Sequence, residues 1–293
     1  MKFGVREICN VVFKAKNATK IGNSTFKAGQ PVLYIDTAKT STIEGAATTV
    51  YAQGGRGNTR LIAWEGEKTL TFTVEDALLS PIGFSVLSGA GLFNDAEQDV
   101  HVHTTSTAMV INGKIDLSFV LGETEKIDSS ATIFVSETEE DGSLTGTLIE
   151  DATVALDGKS LTVDPEHNDK TVLVDFYITK KASNAMELQI DAENFAGYYY
   201  VEASTLFRDQ ATGRDLPAEI TLPNVKIQSN FTFSMAATGD PSTFTFTMDA
   251  FPGYTYFNKT KKVLCVMQVI DDSEATSAEL ESVMKHPGDG ESI

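Results

Sequence analysis

The chain has 293 residues, 41% hydrophobic and 22% charged, enough for one large or two ordinary domains with real cores. Its net charge of −18, from 41 acidic against 23 basic residues, argues against nucleic-acid affinity, which needs a basic footprint. No window approaches the roughly 18 apolar residues of a membrane helix. The N-terminal MKFGVREICNVVFKAK offers no signal-peptide core, so folding in a cytoplasm is expected.

In chain order, period-two patterns rich in Thr, Val, Phe and Ile predict strands at 10–15 and 31–35. A small-residue stretch follows, 37–60 (TAKTSTIEGAATTVYAQGGRGNTR), read as a long extended loop. Loops of twenty or more residues inside a compact domain are uncommon and are usually functional or disordered. This one keeps Ile43, Val50 and Tyr51, so it is expected to become ordered by docking onto another molecule. The residues predicted to make that contact are Ile43, Val50, Tyr51, Gly54, Gly55, Arg56, Gly57 and Arg60. A dense strand at 61–74 comes next. Within it Leu70, Phe72 and Val74 alternate with Thr69, Thr71 and Thr73, one apolar face against one threonine face.

One helix is predicted over 75–88. Thr73 and Asp76 fit a capping box, Pro81 suits the first position of a restarted turn, and Gly89 supplies the stop. Leu78, Ile82 and Leu87 are expected to pack its apolar stripe on the sheet. Further strands are predicted at 100–111, 115–120, 131–136, 145–149, 153–163, 171–179, 186–190, 198–207, 219–226, 231–236, 243–249 and 262–270. Asn112-Gly113, Asp141-Gly142 and Asp157-Gly158 are hairpin signals between them. The fold class is mainly β, a sandwich or barrel with one short flanking α-helix. The expected parts are an N-terminal part of a β-domain (1–111), a β-rich elaboration (112–181), the C-terminal part of the β-domain (182–270) and an acidic flexible tail (271–293).

Catalytic and metal-binding patterns are weak. His101 and His103 share a strand face, but no third ligand stands at fixed spacing, so a solvated face is expected. Gly54–Gly57 lacks the phosphate-loop pattern and opens no helix. Residues 164–169 are oxygen-rich without calcium-loop spacing. Cys9 and Cys265 lie in apolar runs and read as buried thiols. Tyr198, Tyr199 and Tyr200 point to both faces of a strand and read as core plus interface packing. The expectation is a non-enzyme without cofactors or metals.

These elements resemble bacteriophage tail tube (major tail) proteins. The likeness is carried by the order strand, long loop, strand and short helix, and by 51–58 (YAQGGRGN), 61–64 (LIAW) and 77–84 (ALLSPIGF). The region 194–251 adds 206–209 (LFRD) and 239–246 (GDPSTFTF). The resemblance implies hexameric rings stacked into a tube in the virion tail, with the long loop reaching the next ring. It also implies a lumen that passes DNA without binding it, a tape-measure protein in that lumen, and a sheath around the tube in contractile tails. A virion decoration or host-binding β-module is the alternative.

Overall fold

The computed structural model describes residues 2–5, 7–182, 185–232 and 242–271. The first strands are β1 (Phe3–Val5), β2 (Asn10–Ala15), β3 (Thr19–Ile21), β4 (Ser24–Phe26) and β5 (Pro31–Ile35). Two long strands follow, β6 (Ala38–Gly54) and β7 (Thr59–Asp76), then the helix α1 (Pro81–Ser88). Next come β8 (Gly91–Phe93), β9 (Asp99–Ile111), β10 (Lys114–Asp116), β11 (Lys126–Ile127), β12 (Phe134–Thr138) and β13 (Leu144–Leu148). After these are β14 (Thr153–Val154), β15 (Ser160–Thr162), β16 (Thr171–Lys181) and β17 (Glu187–Gln189). The chain closes with β18 (Tyr198–Asp209), β19 (Asp215–Ile227), β20 (Phe244–Ala250) and β21 (Val266–Val269). The fold is mainly β with one α-helix, as the sequence pattern indicates.

The chain forms two compact units. Residues 1–91 and 190–293 make the first, and 92–189 the second, which contains the whole of the expected elaboration 112–181. The first unit holds a sheet in the order β5-β2-β18-β19-β20-β7-β6, with β1 beside β18 and β21 beside β19. Its core is aromatic: Phe13, Phe72 and Phe246 are fully buried, and the Phe13 ring lies 5.9 Å from Phe246. The second unit holds the order β13-β12-β16-β9-β10-β15-β14, built around Val110, Ile115, Leu161, Val174 and Phe176.

Four expectations are corrected. The stretch 37–60 is no loop. Ala38–Gly54 pairs antiparallel with Thr59–Asp76 along its length, so it is the first half of a long hairpin. The helix starts at Pro81, not at 75. Glu75 and Asp76 still belong to β7, and Thr73 lies in the ladder opposite Thr42 and Thr247, so the capping box does not form. Ser80 is the N-cap instead, its hydroxyl accepting from Gly83 N at 2.9 Å, with Pro81 in the first turn where its missing N–H costs nothing. The predicted stripe changes with it. Leu87 is buried and Ile82 half-buried, but Leu78 precedes the helix and is 66% exposed, while Phe84 and Val86 do the packing.

Two strands are also redrawn. The run 115–120 is strand only to Asp116, and 153–163 is broken into β14 and β15 by the Asp157-Gly158 turn. Of the strand predicted at 231–236, residues 233–236 lie outside the described residues, and so does the tail from 272.

Candidate assembly surfaces

β7 pairs with β20 only over residues 71–76, and β6 has no second partner strand among the described residues. Residues 59–70 of β7 therefore project beyond the sheet with β6 alone, a two-stranded arm about 40 Å long at the usual rise per residue. Apart from half-buried Ala52, Gly54 and Leu70, its residues are exposed on both faces. The tip is the turn Gly55–Asn58, where Gly55, Gly57 and Asn58 take φ of 81°, 88° and 49°. Glycine and asparagine are the residues that accept that left-handed backbone.

The register sorts the arm into two unlike faces. Val50 sits opposite Trp64 and Ala52 opposite Ile62, so these four share one apolar face. Val50 is 62% and Trp64 53% exposed. On the other face Tyr51 opposes Ala63 and Thr49 opposes Glu65, and the Arg60 guanidinium lies 4.0 Å over the Tyr51 ring. The arm is charge-balanced, with Glu44, Glu65 and Glu67 against Arg56, Arg60 and Lys68. A bulge at Thr48 lets its hydroxyl accept from Glu67 N at 2.9 Å, which increases local twist. Gly66 is required there, because a Cβ would collide with the Thr48 hydroxyl.

Of the predicted contact residues, Val50, Tyr51, Gly54, Gly55, Arg56, Gly57 and Arg60 are brought together at the outer end of the arm. Ile43 is not: it is half-buried near the root, opposite Phe72. The sequence reading missed Ile62 and Trp64, assigned to an ordinary strand. The sequence carries no signal for them, because only the ladder shows that β6 is the sole strand beside this part of β7.

A second surface is the threonine face near the root. The ladder aligns Thr42, Thr73 and Thr247 in one row, Glu44, Thr71 and Asp249 in the next, and Thr40, Glu75 and Thr245 in the third. This face of β6, β7 and β20 thus holds six threonines and three carboxylates. The hydroxyls of Thr243 and Thr40 donate to Glu75 and hold its carboxyl below the usual range.

His101 and His103 lie on an exposed face of β9, each with a carboxylate: His101 Nδ1 is 2.6 Å from Asp128 and His103 Nε2 is 2.8 Å from Asp175. Among the described residues no three His, Cys, Asp or Glu side chains are placed to hold a metal ion, and no helix is long and apolar enough to cross a membrane. Cys9 is buried and Cys265 half-buried; both thiols are free, and burial pushes both upward. Gly54–Gly57 bends the arm tip, and residues 164–169 contain the short 3-10 turn Pro165–His167 capped by Asp164.

The acidity is uneven. Residues 92–189 hold 19 acidic against 6 basic side chains, and 272–293 hold 6 against 1, while the rest of the chain balances at 16 and 16.

No curated protein matches this chain. The sequence profile of the YomU/Tube protein family matches residues 19–264, a span that takes in the arm, the threonine face and the whole of the second unit. The chain belongs to the YomU/Tube protein family and is a phage tube-like structural protein, in keeping with its resemblance to tail tube proteins.

Proposed function

We propose that this chain is the repeating subunit of a phage tail tube, forming hexameric rings that stack around a channel for DNA during ejection. The observation that carries the reading is the arm. An isolated two-stranded ribbon is marginally stable in water, and this one exposes Val50, Ile62 and Trp64 on one face. Its occupant is a second copy in the next ring, since the arm is charge-balanced and meets no like-charge barrier in approaching its own kind. The threonine and carboxylate face of β6, β7 and β20 is the proposed channel lining. Hydroxyls offer phosphate weak, exchangeable bonds, and Glu44 and Glu75 repel it, which favours passage over binding; Asp249, whose ladder neighbour is Lys226, marks the border of that lining. A tape-measure protein would fill the same channel before DNA, a sheath would surround the tube if the tail contracts, and assembly would take place in the host cytoplasm.

Shortening the arm tests this. Replacing residues 47–68 by Asn-Gly joins Ala46 to Thr69, which already face each other in the ladder, and keeps the register of the root. The shortened chain should fold and form rings but no tubes in negative stain and in sedimentation. Tubes that assemble unchanged from the shortened chain would remove the arm from stacking. Discrete particles from the full chain would favour a decoration or host-binding module.

A further inference from the structure

Phe257 is 98% exposed, yet it sits on a built loop. Between β20 and β21 the chain is clasped by paired bonds between Gly253 and Val263, 3.0 and 2.9 Å long. Asn258 Oδ1 then accepts from Thr260 N at 3.0 Å and Thr260 Oγ1 at 2.8 Å. The Tyr256 ring stacks on Tyr200 of β18 at 4.2 Å, which fixes the loop to the sheet.

Lysines gather around it. Lys14 and Lys259 lie 5.5 and 5.6 Å from the Tyr256 ring, Lys226 lies 5.5 Å from Tyr198, and Lys262 lies 5.6 Å from Tyr254. Two carboxylates face the same area. Glu202 is paired with Lys14, and Asp249, opposite Lys226 in the ladder, accepts from Gln228 Nε2. Lys226, Lys259, Lys261 and Lys262 form no ion pair among the described residues. A chain of net charge −18 thus presents a basic, aromatic patch, and the loop that contributes to it carries a fully exposed phenylalanine.

We propose that this patch docks the β12–β13 hairpin of a second copy of the chain, an inference that rests on the assembly reading above. The hairpin tip carries Glu139, Glu140 and Asp141 in succession, all exposed and without an ion pair among the described residues. Leu144 and Leu148 are exposed on β13, which ends its sheet, and give Phe257 an apolar counterpart. Charge complementarity selects this occupant. The second unit carries most of the net negative charge of the chain, 19 acidic against 6 basic side chains, so neighbouring copies repel each other unless that acid meets a basic surface.

Charge reversal tests the contact in the full chain. Lys259→Glu/Lys261→Glu/Lys262→Glu, and separately Glu139→Lys/Glu140→Lys/Asp141→Lys, should each raise the polymerisation concentration about tenfold or more, and combining both sets should bring it back to within about threefold. All six side chains are exposed, so circular dichroism should show native folding. In a mixture of isotope-labelled and unlabelled chains, carbodiimide should link these lysines and acids across mixed-isotope pairs. Links confined to one isotope, or polymerisation of both variants at the wild-type concentration, would overturn the inference and leave the tube reading standing. Loss of binding to a duplex DNA probe with unchanged polymerisation would make the patch a nucleic-acid surface and overturn it equally. A wild-type chain that never polymerises would sink the tube reading and this inference together.

Discussion

Leu87 is buried inside α1, whereas Leu78 is two-thirds exposed before the helix begins, so the same substitution has opposite consequences. Leu87→Ala removes a fully buried side chain and should cost about 2–5 kcal/mol. Leu78→Ala should stay within about 0.5 kcal/mol, as surface changes do. Denaturant midpoints of the two variants decide it, and equal shifts would place both on one packed stripe. The helix stop was legible because Gly89 has φ 76° and its Cβ would meet the Phe195 backbone at 2.5 Å. The start was not legible, because Thr73 and Asp76 imitate a cap while the β20 ladder claims them. Tertiary pairing overrode a local signal. Asn112-Gly113 was readable for the opposite reason: both residues take positive φ, which few others tolerate. Asp157 gives a residue-scale prediction in the second unit. Lys159 N and the Ser160 hydroxyl donate to its carboxylate and lower its pKa from 3.8 to about 2. A depressed folded pKa contributes stability above pH 3.8 and loses it as pH falls through about 2. Asp128, Glu137 and Asp141 are lowered too. Hydrogen-exchange protection of β16 should therefore fall as the pH is lowered from about 4 to about 2. Protection that is flat with pH would mean these bonds persist in the unfolded chain.

The arm shows why one element stayed hidden in the sequence. Period two appears when one strand face is buried and the other is wet. Over residues 44–54 and 59–69 both faces of the ribbon are exposed, apart from half-buried Ala52 and Gly54, so no alternation is imposed and small residues such as Gly45, Ala46 and Ala47 suffice. The root is different. From Thr71 to Asp76 the pattern alternates half-buried and buried, and there the sequence reading of apolar and threonine faces agrees with the structure. The contact residues were mostly legible because Val50, Tyr51 and Arg60 are costly to leave in a solvated loop. What could not be read was their partners across the ladder, which only the register supplies. A ribbon without a third strand opens readily. Amides of residues 46–68 should exchange rapidly in dilute chain and become protected on assembly. Strong protection in dilute chain would show that the arm is already stabilised without a partner.

At the scale of the whole molecule, the net charge is spread unevenly along the chain. The first unit without residues 272–293 is neutral, so the acidity seen in the composition belongs to the second unit and to those last residues. Composition alone made the charge look like a property of the whole chain. The neutral unit bears the arm, the threonine face and the lysine–aromatic patch, and the second unit bears the acidic β12–β13 hairpin proposed to dock on that patch. Cryo-electron microscopy of the purified, polymerised chain tests this most directly, because one map reads symmetry, stacking and lining together. The account predicts six-fold rings stacked into a tube, with Val50, Ile62 and Trp64 covered by the next ring and Thr42, Thr73 and Thr247 facing the channel. Discrete particles without a channel, or a tube in which the arm stands free in solvent and the threonine row faces outward, would contradict it.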